Sequence, residues 1–196
     1  MGKIFCLMGK SASGKDTIYN RLLADETLQL HKVILYTTRP IRSGEVDGET
    51  YFFCDDAKAN ALEAAGKVIE MRAYDTMHGV WKYFTADDGQ IDLTSDASYL
   101  MIGTLEAYEK IRDYFGVESV LPILIHVDDG LRLSRALERE RGQAQPKYAE
   151  LCRRFLADEE DFAESKRQAL GIAHVFENEC LDETVATIAD FMKGVR

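Results

Sequence analysis

Short apolar runs alternate with amphipathic stretches along the chain, the pattern of strands buried on both faces and separated by covering helices. Residues 3–8 hold Ile4, Phe5 and Leu7 and predict a short buried strand. After the loop 9–14, Ile18, Leu22 and Leu23 recur at helical spacing and predict a helix with one apolar face. Residues 31–37, with Val33, Ile34 and Leu35, predict a second strand. Further on, 98–102 and 120–127 return to apolar strand runs, with a helix over 106–115 between them. Residues 131–141 and 148–169 read as helical, split by the segment 142–146, and 174–177 predict a short last strand. Asp182 is the expected cap of a closing helix whose stripe is Val185, Ile188, Ala189 and Met192. Strands alternating with helices imply a parallel sheet covered on both sides.

The block between residues 37 and 88 breaks this rhythm. Pro40, Ser43, Gly44, Asp47 and Gly48 are turn formers, and three β-prone stretches follow at 51–53, 67–74 and 81–85. A single helix over 55–65 interrupts them, with Asp55 or Asp56 as its cap and Gly66 as its stop. Adjacent short strands separated by turn signals predict a small, mostly antiparallel lobe inserted into the α/β core.

Composition narrows the class. With 24 Lys plus Arg against 34 Asp plus Glu, the formal charge is −10. That balance argues against non-specific binding to a nucleic-acid polymer. No run of 18 apolar residues exists, so no membrane span is expected. The apolar run ahead of Gly9 lacks a secretory pattern, and Cys6, Cys54, Cys152 and Cys180 form no C-x-x-C pair. Reduced packing thiols in a cytoplasmic protein are the expectation.

Gly9-Lys10-Ser11-Ala12-Ser13-Gly14-Lys15-Asp16-Thr17 is the sharpest chemical signal. It spells G-x-x-x-x-G-K between a predicted strand and a predicted helix, the context that a phosphate-cradling loop requires. Glycines let backbone N–H groups turn inward, the helix N-terminus adds positive potential, and Lys15 supplies a cation. Together these hold a triphosphate. Asp16 stands where a hydroxyl usually follows the lysine, so the hydroxyl for a metal ion is expected from Thr17.

A second cationic element follows. Arg39 and Arg42 flank Pro40 in Thr37-Thr38-Arg39-Pro40-Ile41-Arg42-Ser43-Gly44-Glu45, and Tyr51 follows at a short distance. Guanidinium groups bind phosphate bidentately. Taken alone, the two arginines fit a solvated turn as well as an anion grip.

Together, the loop and this stretch resemble the guanylate kinase family, which carries G-x-S-x-x-G-K-x-T and T-T-R-x-x-R-x-G-E-x-x-G-x-x-Y-x-F. Val68-Ile69-Glu70 resembles the family segment bearing a base-reading glutamate, and Phe176-Glu177-Asn178 the segment beside the adenine. The resemblance implies a P-loop three-layer α/β sandwich with a parallel central sheet. It places the core at 1–36, 89–130 and 155–196, a monophosphate-binding lobe at 37–88 and a helical lid at 131–154. It also implies ATP-dependent phosphorylation of GMP and dGMP, with Mg²⁺ accompanying ATP and bound by Thr17. ATP would be held by Gly9, Ser11, Ala12, Ser13, Gly14, Lys15, Asp16, Thr17, Arg139 and Asn178. GMP would be held by Arg39, Arg42, Glu45, Tyr51, Glu70 and His78, and Lys15, Arg39, Arg135 and Arg154 would serve the transfer itself. A monomer or homodimer is expected.

The chain departs from the family pattern at the base reader. Leu35 stands where the family has a serine, His78-Gly79-Val80 replaces Tyr-Gly-Thr/Ser, and an acidic I-L-D-x-D segment is matched only by Leu100-Met101-Ile102-Gly103-Thr104-Leu105-Glu106. A kinase acting on another nucleoside monophosphate or a ribose phosphate therefore stays open, as does a non-catalytic guanylate-kinase-like binding module. Residues 132–154 hold seven cationic and three anionic side chains, a basic stretch suited to clamping anions or to an ion-paired helix face. The acidic run Asp158-Glu159-Glu160-Asp161 reads as solvent-exposed.

Overall fold

The computed structural model describes residues 2–76 and 79–195. Its central sheet is parallel, in the order β2 (Leu30–Lys32), β7 (Ser98–Ile102), β1 (Lys3–Gly9), β8 (Val120–His126), β9 (Phe176–Glu177). The strand period of two divides β1 between two cores. Ile4, Cys6 and Met8 join Tyr99, Met101 and Leu124 on one face, under α3 (Leu105–Phe115). Phe5 and Leu7 join Leu100, Ile123 and Ile125 on the other, under α1 (Lys15–Ala24) and α7 (Leu181–Gly194). This is the expected three-layer sandwich. Burial pushes the Cys6 thiol up to about 12, the behaviour of a packing residue.

The second sheet has the order β4 (Phe52–Phe53), β3 (Tyr36–Thr37), β6 (Gly79–Ala86), β5 (Val68–Thr76). β3 pairs antiparallel with β6, and β5 antiparallel with β6, while β3 and β4 are parallel. Its outer face packs Tyr36, Phe84, Ala86, Val68 and Met71 against Ala59 and Leu62 of α2 (Asp56–Ala64). Asp55 caps α2 by accepting from Lys58 N–H at 2.8 Å, and Gly66 follows its end at φ +68°.

Three elements differ from their sequence expectation. The strand expected over 31–37 splits: β2 belongs to the central sheet and β3 to the second. The Gln90 side chain bridges the break, accepting from Ile34 N–H at 2.9 Å and donating to Ile34 O at 3.1 Å. The helical stretch expected over 148–169 is two helices, α5 (Tyr148–Asp161) and α6 (Glu164–Ala169), parted at Phe162 and extended Ala163. Asp182 lies inside the first turn of α7, where it pairs with Arg21 at 2.5 Å; the N-cap is Cys180, which makes no side-chain cap bond.

The carboxyl ends of the parallel strands open onto one edge. There β1 runs into the loop 9–14, β7 into Thr104 capping α3, β8 into Asp128 capping α4 (Asp129–Arg141), and β9 into Asn178. Open parallel sheets bind ligands outside this edge.

Candidate active site

The loop between β1 and α1 is shaped by close packing. A side chain on Gly9 would come within 2.8 Å of Ser13 Oγ and 3.0 Å of Ile125 O. Gly14 adopts φ +85°, and a Cβ there would meet Asn178 Nδ2 at 2.5 Å. Ala12 is held at φ +64°, a left-handed conformation disfavoured for a residue with a Cβ and kept only where the surroundings impose it. Lys15, Asp16 and Thr17 form the first turn of α1, with Lys15 half-buried and the other two exposed. Hydroxyl and carboxylate oxygens there suit a hard divalent cation held jointly with a phosphate.

Two buried polar groups brace this loop from outside. Asn178 is buried under it, its Nδ2 donating to Ser13 O at 2.8 Å. Arg132 on α4 is 1% exposed yet charged. It donates to Ser11 O at 3.3 Å, to Asp158 at 3.1 Å, to Glu159 at 2.7 Å and to Asp129 at 3.0 Å, and its guanidinium lies 4.0 Å from the Phe155 ring centre. Asp158 in turn accepts from Ser11 N–H at 2.8 Å, and Glu159 from Lys10 Nζ at 2.6 Å. Both backbone polar groups of Ser11 are therefore pinned by one ion cluster. The expectation of a solvent-exposed acidic run fails at Asp158, which is half-buried because the last turn of α5 folds back onto the loop; Glu159 is exposed, as expected, though ion-paired. Glu160 and Asp161 are exposed.

On the second sheet, Arg39 is 3% exposed and anchors the turn after β3. Its Nη2 and Nη1 grip the two Glu45 oxygens at 2.7 and 2.9 Å, Nη1 also donates to Pro40 O, and Nε donates to Tyr83 Oη at 3.1 Å. The bond from Arg39 holds the Glu45 carboxyl below the usual carboxylate range. Glu45 also accepts from Arg42 N–H at 2.7 Å, so the ion pair sets the turn that displays Arg42. The Arg42 side chain is exposed and its guanidinium lies 5.9 Å from the Trp81 ring centre. Tyr51 stands beside Arg39 and Tyr83, its phenol pushed up by burial.

The β5–β6 register extends this face. Glu70 pairs with Thr85, Arg72 with Tyr83 and Tyr74 with Trp81, so all six side chains project to one side of the sheet, opposite the Phe84 core. Glu70 is buried, accepting from Thr85 Oγ1 at 2.9 Å and from Arg72 Nε at 3.1 Å. Burial opposes the Arg72 charge, but Glu70 and Tyr74 outweigh it and hold the guanidinium above its usual range.

Thus the structure groups Gly9 through Thr17 with Asn178, and groups Arg39, Glu45 and Tyr51 with Tyr83. Glu70 lies farther along the same sheet face. Arg135, half-buried on α4, donates to Asn178 O at 3.4 Å, whereas Arg139 and Arg154 are exposed on α4 and α5. His78 lies outside the described residues. Sequence reasoning missed Arg72, Tyr83, Thr85, Arg132 and Asp158. Period-two alternation from Glu70 gave a signal for Arg72 on its own strand; the other partners depend on long-range pairing.

Residues 1–83 match the family model described as Guanylate kinase. A guanylate kinase of Rhodopseudomonas palustris (strain HaA2) is 40% identical over 79 residues, 40% of this chain and 36% of the relative. One from Wolbachia sp. subsp. Brugia malayi is 31% identical over 126 residues, 62% of each chain. The chain thus spans little more than a third of the Rhodopseudomonas relative it matches. A crystal structure of guanylate kinase from Anaplasma phagocytophilum superposes with a TM-score of 0.71 at 20% identity, covering 98% of this chain and 85% of that one, which shows the fold.

Two predictions follow from the braces. Arg132→Met removes the cation from three carboxylates, one of them largely buried, and breaking such a cluster costs about 3–5 kcal/mol. At roughly 2–4 °C per kcal/mol, the melting temperature should fall by about 6–20 °C; an unchanged value would mean that the cluster carries no load. For Glu45, the folded carboxyl titrates below the unfolded value of about 4.3, so its pairing stabilises fully above that value and is lost as pH falls through the folded one. The melting-temperature gap between the native chain and Glu45→Gln should persist from pH 8 to about pH 5 and close in more acid solution. A gap independent of pH would contradict the pairing.

Proposed function

We propose that this chain, whose residues 1–83 match the guanylate kinase family model and which shares that fold over nearly its whole length, transfers a phosphoryl group from ATP to GMP or dGMP. The observation that carries this reading is one sheet face bearing an arginine-built anion turn at Arg39–Glu45 and a buried carboxylate, Glu70, beside a core with an intact phosphate loop.

In this reading the loop amides and Lys15 hold the triphosphate of ATP. Arg42 and Tyr51 hold the acceptor phosphate, with Arg39 and Glu45 fixing their turn. Glu70 accepts from the guanine N1–H and 2-amino groups, a match that adenine cannot offer. Residues 37–88 act as the acceptor lobe and 131–154 as a lid carrying Arg135, Arg139 and, at its end, Arg154 toward the transferred group. The acceptor oxygen belongs to a phosphate that is already ionised, so positioning and charge neutralisation do the work and no strong base is required. Mg²⁺ bound through Thr17, with Asp16 beside it, would neutralise charge on the triphosphate. The unpaired thiols fit a cytoplasmic enzyme.

A coupled assay over GMP, dGMP, AMP, UMP, CMP and ribose 5-phosphate tests the proposal. GMP and dGMP should give the highest kcat/KM; robust use of another acceptor with undetectable GMP turnover would overturn it. In the same assay Lys15→Met should lower kcat by about 100-fold or more. Arg42→Ala should raise KM for GMP by about 10-fold while leaving KM for ATP in place.

A further inference from the structure

Arg72 is a partly buried cation outside the phosphate-loop and anion-turn machinery. Its side chain is 16% exposed, its Nε bonds Glu70, and it lines an open cleft of about 670 Å³ together with Tyr74, Thr104, Glu106 and Lys166. Burying a guanidinium against a carboxylate that is itself 1% exposed is expensive and is retained where geometry matters.

The order of groups along the sheet is specific. Thr85 Oγ1 bonds Glu70 Oε1, and Arg72 bonds Glu70 Oε2. Each carboxylate oxygen has two lone pairs, so one on each oxygen is spent and one remains. Away from the Thr85 side, the row is acceptor (Oε1), acceptor (Oε2), donor (Arg72). The hydrogen-bonding edge of guanine presents its 2-amino donor, its N1–H donor and its 6-carbonyl acceptor in the matching order. Arginine donating to the guanine carbonyl is also the commonest specific protein contact with that base. Leu35 and Val80 carry no polar side-chain atom with which to serve the carbonyl.

We propose that Arg72 is a specificity-determining residue that reads the 6-carbonyl of the acceptor base, completing with Glu70 a three-point recognition of guanine. This rests on the guanylate reading above. The pairing with Glu70 aligns the guanidinium edge, and the same bond fixes the rotamer of the carboxylate. An acceptor with a 6-amino group meets Arg72 donor against donor and is rejected.

The test compares GMP with 6-thio-GMP, which keeps both base donors and replaces only the carbonyl oxygen by sulfur, a weak acceptor. Native protein, Arg72→Met and Arg72→Lys are assayed for kcat/KM on both, for KM of ATP and for thermal melting. The native protein should favour GMP by about 10-fold or more, the range of a hydrogen bond to a charged group. Arg72→Met should bring the ratio to about unity, chiefly by losing GMP turnover, and Arg72→Lys should restore part of the preference, with KM for ATP held in all three. If Arg72→Met slows both acceptors by one factor, or neither, Arg72 only supports Glu70 and the inference falls. If Arg72→Met does not fold, the Arg72→Lys ratio decides: an intermediate preference supports the inference, and an unaltered one ends it. Native protein inactive on GMP would remove the guanylate reading itself, an outcome distinct from an active enzyme whose preference ignores Arg72.

Discussion

A tight glycine-rich turn keeps its shape only where contacts from outside it add to its few internal bonds. That constraint governs the loop 9–14 here, and the surrounding structure answers it. Asn178 reaches from the end of β9 to Ser13 O, Ile125 on β8 walls the turn at Gly9, and Arg132 with Asp158 fixes the Ser11 residue from both sides. Ala12 stays in a left-handed conformation within this frame. The frame also joins distant parts of the chain, because Arg132 comes from α4 and Asp158 from the end of α5.

The second sheet solves a related problem with pairing register. Because side chains alternate across a strand, one register assigns Phe84 and Met71 to the outer core and Glu70, Arg72, Tyr83 and Thr85 to the opposite face. A slip of β5 by one residue would turn Arg72 toward the α2 core and Met71 away from it. The apolar cluster under α2 therefore fixes where the charged groups stand. Arg39 adds the lateral link, tying β6 through Tyr83 to the turn through Glu45 and so holding Arg42 at the rim.

Much of this was legible in the amino-acid sequence where the signal is local. The glycine loop after an apolar run, the caps at Asp55 and the stop at Gly66, and the doubly cationic turn all follow from neighbouring residues. The failures share a cause. One apolar run at 31–37 serves two sheets, and nothing in its own composition marks the crossing that Gln90 stabilises from far along the chain. The acidic end of α5 carries the pattern of a solvated face, and only the arrival of Arg132 and the Ser11 N–H turns one member, Asp158, inward. Arg72 is visible as a strand residue, but its meaning depends on Glu70 being desolvated beside it. Long-range electrostatic pairing is a property of the fold, and single-chain periodicity does not encode it.

The account's central claim is that the loop at 9–17 and the face bearing Arg42, Tyr51 and Glu70 serve one transfer between two bound nucleotides. Calorimetric binding of a dinucleotide in which five phosphates join adenosine to guanosine tests this most directly, since tethering two ligands that fill adjacent sites multiplies their affinities. The account predicts binding far tighter than that of ATP or GMP alone, weakened by substitutions in either the loop or the arginine turn. Affinity no greater than that of ATP, insensitive to changes at Arg42, would contradict it.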